Sequence, residues 1–267
     1  MVYWERGSGP VILLVHGMFG DHLDWEPVLA PLAVRHRVLA VDLPGFGASE
    51  KPDASYSAEF FVTALAELLD HVSVRRATLV GNSFGGILAS RFALAHAPRV
   101  ERLILVSGAR KFSEEERNFS RERMSREILL RLTPEVNRQM FAPIFAKEGP
   151  AQERYLAKQN AKLTRADYPE YARAMARSIE TALTAYYPER LGEIRCPVLL
   201  LWGQQDAVIP QHHARDALAQ LKYGTLVVLP GCGHAAQIDD PGAFVAAIEE
   251  FFRNSEPYSC GPTPEIG

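Results

Sequence analysis

Ala77-Thr-Leu-Val-Gly81-Asn-Ser83-Phe-Gly85-Gly86 is the stretch on which the fold turns. Its first half is a short apolar run that closes on glycine. Its second half opens a helical pattern, Ser83 to His96, with Pro98 as the stop signal. A buried strand that bends sharply into a helix is the setting in which G-x-S-x-G exposes a serine hydroxyl. The new helix then aims free N–H groups at the same spot. The competing use of Ser83 is as an ordinary helix cap in a glycine-rich turn.

Around this stretch the pattern repeats. Val11–Val15, Arg37–Asp42, Thr78–Gly81 and Leu103–Ser107 read as buried parallel strands. Ser57 to Val72 carries Phe60, Phe61, Ala64, Leu65, Leu68 and Leu69 at helical spacing, one apolar stripe. Strands alternating with helices predict βαβ units, an α/β chain with a mostly parallel sheet flanked by helices. After Ala109 the character changes. Up to Leu191 the only glycine is Gly149, strand-like runs are missing, and prolines stand at 134, 143, 150, 169 and 188, which predicts an inserted layer of short helices. Strands resume at Val198–Trp202 and Thr225–Leu229. A last amphipathic helix spans about Pro241 to Phe252, and residues 254–267 read as a loose C-terminal tail.

The 267 residues are 47% hydrophobic and 23% charged, with a net charge of −3, an ordinary globular composition. No basic block is present, which disfavours a nucleic-acid partner. The longest apolar run, Cys196–Trp202, is far below the ~20 residues that span a bilayer, so no membrane insertion is expected. No secretory leader is legible. Three widely spaced cysteines fit a reducing, cytoplasmic setting and argue against a disulfide framework or a zinc site. Asn118-Phe-Ser120 is read as a chance sequon, and the oligomeric state is left open.

Two more residues fall at predicted strand ends. Asp206 follows Val198-Leu-Leu-Leu-Trp202, and His234 lies in the Gly-rich loop after Leu226-Val-Val-Leu. Ligand sites in parallel sheets lie beyond the carboxyl ends of strands, so Ser83, Asp206 and His234 are expected at one edge, in the order of a Ser…Asp…His triad. Read singly, Asp206 could be a turn residue and His234 a loop histidine without a role. Val11–Val15 ends in His16-Gly17-Met18-Phe19-Gly20. There the Met18 N–H, with Phe19 as its neighbouring alternative, is expected to pair with the Phe84 N–H as an oxyanion hole. His16 is read as a structural residue that holds the loop. Phe19, Phe141, Phe145 and Tyr186, with Tyr187, are candidates to wall an acyl pocket. Each could equally pack the insert onto the core. The Arg/Glu alternation from Arg110 to Arg138 reads as a solvated helix face, and adjacent His212 and His213 as surface residues.

His16-Gly-Met-Phe-Gly20, Asp42-Leu-Pro-Gly-Phe-Gly-Ala-Ser49, Gly81-Asn-Ser-Phe-Gly-Gly86, Trp202-Gly-Gln-Gln-Asp206 and Gly233-His234 together resemble the α/β-hydrolase superfamily over residues 2–253. The resemblance implies an α/β-hydrolase fold with a core of 1–110 and 191–253 and a helical cap at 111–190. It also implies a Ser-His-Asp hydrolase needing no cofactor and no metal. Ser83 departs from the Asp nucleophile of haloalkane dehalogenases and epoxide hydrolases and from the Cys of dienelactone hydrolases. Phe84 departs from the Trp usual in proline iminopeptidases. The expected partner is a small-molecule ester with a small to medium acyl chain, cleaved by a carboxylesterase. The alternatives are a carbon–carbon bond hydrolase of an aromatic meta-cleavage pathway, and a cofactor-free perhydrolase or haloperoxidase. The meta-cleavage group generally has Trp after its histidine, where this chain has Ala235. A catalytically silent receptor is the further reading that three intact residues oppose.

Overall fold

The computed structural model describes residues 1–258. The chain runs β1 (Val2–Arg6), β2 (Val11–Val15), α1 (Glu26–Leu32), β3 (Arg37–Asp42), α2 (Ala58–His71), β4 (Ala77–Asn82), α3 (Phe84–Ala95) and β5 (Val100–Val106). Five helices follow: α4 (Glu114–Arg123), α5 (Arg126–Leu129), α6 (Pro134–Phe141), α7 (Pro150–Lys162) and α8 (Tyr168–Thr184). The chain then closes with β6 (Val198–Gly203), α9 (His212–Gln220), β7 (Gly224–Leu229), α10 (Ala236–Asp239) and α11 (Pro241–Asn254).

The sheet order is β1-β3-β2-β4-β5-β6-β7, parallel except for antiparallel β1 at the edge. β2, β4 and β6 are apolar on both faces because helices cover both sides of the sheet. One apolar layer joins Leu13, Leu79, Leu105 and Leu200 to α2 and α3. The other joins Leu14, Val80, Ile104 and Leu201 to α1 and α11. The strand order reverses around β2, with β3 on one side and β4 on the other. The turns leaving β2 and β4 therefore lie side by side at a crevice, the usual place for a ligand in an open α/β sheet.

Two glycines let the helix after β4 sit close to the sheet. A Cβ on Gly85 would lie 2.2 Å from the Val15 carbonyl oxygen, and one on Gly81 would lie 2.3 Å from the Gly85 carbonyl oxygen. α4 buries none of its residues, as the Arg/Glu alternation predicts, and opens with a Ser113/Glu116 capping box. The C-terminal expectation needs correction over its first residues. Asn254 still belongs to α11, Ser255 accepts from Arg102, and the Tyr258 N–H donates to the Glu101 carbonyl. The rest of the expected tail, 259–267, lies outside the described residues.

Candidate active site

Asp206 and His234 come together from the ends of β6 and β7. His234 Nδ1 lies 3.0 Å from Asp206 Oδ2, and both residues are buried. The other carboxylate oxygen, Oδ1, accepts the N–H groups of Val208 (2.9 Å) and Ile209 (2.8 Å). Burial alone would raise the Asp206 carboxyl, but the hydrogen bond and charge of His234 and the backbone donor outweigh it and hold it below the usual carboxylate range. An ionised Asp206 bonded at Nδ1 leaves Nε2 of His234 as the ring nitrogen available to the cavity.

Ser83 sits between β4 and α3 with φ 51° and ψ −116°. A left-handed φ on a non-glycine residue costs on the order of 1–3 kcal/mol, and the tight strand-to-helix packing holds it there. Ser83 and His234 line the same cavity, with no hydrogen bond between their side chains in this state. Catalytic hydrogen bonds often tighten only when substrate is bound. Asn82 braces the pair: its Nδ2 donates to the Val106 carbonyl (3.1 Å) and to the His234 carbonyl (3.2 Å). Asp239 Oδ2 accepts from the Gly233 N–H (2.7 Å) and the Ala146 N–H (3.1 Å). The Ile144 carbonyl accepts from the N–H groups of His234 (2.7 Å) and Ala235 (3.3 Å). The inserted helical segment thus touches the histidine loop directly.

The turn after β2 has its own brace. His16 Nδ1 donates to the Gly17 carbonyl (2.8 Å) and Nε2 accepts the Leu43 N–H (3.1 Å), which bears out a structural role. Burial pushes the His16 pKa down, so the ring is neutral. The Gly20 N–H closes the turn on the Gly17 carbonyl at 3.1 Å. Phe19 is its third residue, with φ 63°, a position that favours glycine. Among the described residues the N–H groups of Met18, Phe19 and Phe84 have no acceptor, so the geometry leaves Met18 and Phe19 both open as donors. The Phe19 carbonyl accepts from Lys162 Nζ (2.7 Å) and Gln159 Nε2 (3.2 Å) of α7. Lys162 also pairs with Asp21 (2.8 Å), and Lys158 with Asp21 (3.1 Å) and Asp24. Burial alone would raise the Asp21 carboxyl, but the two ammonium groups hold it well below the usual range.

The cavity holds about 240 Å³ and is mainly apolar, walled by Met18, Phe19, Met124, Met140, Phe141 and Ile179 among others. Two expected pocket residues are corrected. Phe145 and Tyr186 are buried but absent from the cavity wall. Phe145 packs edge-on against Tyr155, 5.4 Å between ring centres. Tyr187 is partly exposed under the Arg91 guanidinium. Arg110 is the one Lys or Arg on the wall among the described residues. Its Nη1 donates to the Val208 carbonyl (2.9 Å) and its Nη2 pairs with Glu116, while its buried Nε has no partner among the described residues. No group of three or more His, Cys, Asp or Glu among the described residues is placed to hold a metal ion, and no helix there is long and apolar enough to cross a membrane.

Asn82, Asp239 and Lys162 were not singled out in the sequence. Asn82 lies inside the nucleophile motif, so its neighbourhood was visible there. Lys162 meets Phe19 across 143 positions, and no local pattern announces that meeting.

This sheet and this constellation of strand-end residues are those of an α/β hydrolase. Residues 12–248 match the alpha/beta hydrolase family model, and the chain belongs to that family. It is 31% identical over 270 residues to the uncharacterized protein Rv2715 of Mycobacterium tuberculosis, covering 94% of this chain and 77% of that one. It is 30% identical over 256 residues to the 2-hydroxy-6-oxo-2,4-heptadienoate hydrolase of Pseudomonas putida, covering 92% and 90%. Among solved structures, a thermophilic esterase from Thermogutta terrifontis superposes with a TM-score of 0.81 at 26% identity, covering 95% and 93%.

Proposed function

We propose that this hydrolase is a serine esterase for uncharged, small to medium acyl esters. The observation that carries the proposal is the buried Asp206–His234 pair beside Ser83 in one apolar cavity. In this reading His234 takes the Ser83 proton through Nε2 as the oxygen attacks the ester carbonyl. Asp206 fixes the tautomer and stabilises the imidazolium. The oxyanion is met by the Phe84 N–H and by the Met18 or Phe19 N–H. His234 returns the proton to the departing alcohol; a water then attacks acyl-Ser83 as His234 takes its proton, and His234 gives that proton to Ser83 Oγ as the carboxylic acid leaves. The wall supports an uncharged acyl group, because its one guanidinium is already engaged by Glu116 and a carbonyl.

A second reading is carbon–carbon bond hydrolysis of a ring-cleavage dienoate, favoured by the similarity to the Pseudomonas putida enzyme. Such a dienoate carries a carboxylate, for which this wall offers a single Lys or Arg among the described residues, Arg110, whose two Nη groups are already paired. The test is kcat/KM on a panel of p-nitrophenyl esters beside 2-hydroxy-6-oxo-2,4-heptadienoate, for the wild type and Ser83→Ala. The esterase reading expects ester hydrolysis to dominate and to vanish in Ser83→Ala. Dominant dienoate cleavage selects the second reading, and undiminished hydrolysis by Ser83→Ala overturns both.

A further inference from the structure

The Gly17–Gly20 turn carries Phe19 in a left-handed conformation at the third position. A left-handed φ on a phenylalanine is strained, so the turn needs support from outside its own four residues. The loop's own residues supply one closing bond, Gly20 N–H to Gly17 carbonyl. His16 Nδ1 adds a second hold on the Gly17 carbonyl at 2.8 Å, and α7 grips the peptide after Phe19: Lys162 Nζ at 2.7 Å and Gln159 Nε2 at 3.2 Å both donate to the Phe19 carbonyl. Both donors are almost fully buried. Lys162 is itself fixed by Asp21, one turn further along the same loop, at 2.8 Å. Asp21 and Asp24 also hold Lys158, so two lysines of one helix are matched by two aspartates of one loop.

We propose that Lys162, assisted by Gln159, is a positioning residue for oxyanion stabilisation: by donating to the Phe19 carbonyl it anchors the Phe19–Gly20 peptide and so fixes where the turn sits, with Met18 and Phe19 on the wall of the Ser83 cavity. This rests on the esterase reading of the site. It makes the oxyanion loop complete only while α7 is seated on the core. Lys162 touches no reacting atom, so its loss acts on turnover and leaves ground-state binding nearly intact.

The experiment compares Lys162→Met, Lys162→Met/Asp21→Asn and Gln159→Leu with the wild type. The readouts are kcat and KM for p-nitrophenyl butyrate, and Kd for an alkyl boronic acid that forms a tetrahedral adduct on Ser83. Circular dichroism and Tm report folding. Removing an oxyanion donor costs about 10²–10³-fold in kcat, and a misaimed one is expected to cost roughly 10–100-fold. Lys162→Met should show that loss with KM within about threefold, and boronate affinity should fall in parallel. The double variant removes the stranded aspartate charge and keeps the ion cluster balanced, yet should stay slow. Recovery of kcat in the double variant would reduce Lys162 to charge balance and overturn the proposal, as would a Lys162→Met enzyme that keeps its kcat or changes only KM. If neither lysine variant folds, Gln159→Leu decides: it alters no charge, and an unchanged kcat and boronate affinity overturn the anchoring role. Activity surviving in Ser83→Ala would instead remove the esterase reading beneath it.

Discussion

Asp206 divides its two carboxylate oxygens between backbone and imidazole. Oδ1 is anchored by two N–H groups and Oδ2 holds His234 Nδ1. An amide in its place could keep the shape but offer an N–H where an acceptor is needed. Asp206→Asn is therefore expected to lower kcat on p-nitrophenyl esters by about 10³–10⁴-fold, with a near-wild-type circular dichroism spectrum. A loss under tenfold would remove Asp206 from the machinery. His16 makes a separate prediction, about acid stability. Its ring donates to one backbone carbonyl and accepts from one backbone N–H, so a second ring proton would confront the Leu43 N–H. The folded ring thus resists protonation, and its pKa lies below the unfolded value. The stability this contributes is full above about pH 6.5 and is lost as pH falls, because the unfolded chain then binds a proton that the native state does not. Urea unfolding from pH 7.5 to 5 should lose up to about 1.4 kcal/mol per pH unit from this residue. His16→Asn, compared by the same titration, should show a flatter profile; an equally steep one would assign the slope elsewhere.

Among the elements, α3 approaches β2 as closely as a residue without a side chain allows. The Gly85 position has no room for a methyl group, because the obstacle is rigid backbone at 2.2 Å. Gly85→Ala should destabilise by about 1–3 kcal/mol, as over-packing does. Gly149, just before α7, is the internal control: a Cβ there would meet nothing within 4 Å. Gly149→Ala should stay within about 1 kcal/mol of wild type, since the restriction of the unfolded chain is offset by the loss of glycine at the N-cap of α7. Denaturant midpoints of the two variants check the contrast, and similar shifts would refute it. The same closeness explains what the sequence could and could not tell. β2, β4 and β6 were legible because both faces are buried, and the three strand-end residues followed from them. β1 was not, because Val2–Arg6 is half exposed on an edge and carries neither a clean alternation nor an apolar run. α1 and α9 were also passed over, for they are short, with Pro31 inside one and two histidines opening the other. The Asp206–His234 bond could be expected from order and strand ends. The Asn82 and Asp239 braces could not, since each depends on which backbone atoms of a distant loop arrive beside it.

Across the whole molecule, the cavity belongs to neither the sheet nor the inserted helices alone. Ser83, Phe84 and His234 form its floor, while Met124, Met140, Ile179 and Ala182 close it from the insert. At about 240 Å³ it lies just below the usual range of small-molecule sites, which starts at about 300 Å³. An acyl chain entering this space replaces exposed apolar wall with contact, so each added methylene contributes about 0.8 kcal/mol until the far wall is reached. Where the series stops therefore measures the insert. Ala182 is only partly buried, so a larger side chain there extends into the cavity without over-packing the core beneath. Ala182→Phe should leave hydrolysis of p-nitrophenyl acetate within about threefold of wild type. For the butyrate and hexanoate esters, a loss of two methylenes' contact and the new steric barrier should lower kcat/KM about tenfold or more. An unchanged chain-length profile, with the variant folded, would place the acyl chain along another wall and return the choice of substrate to the loops at the sheet edge.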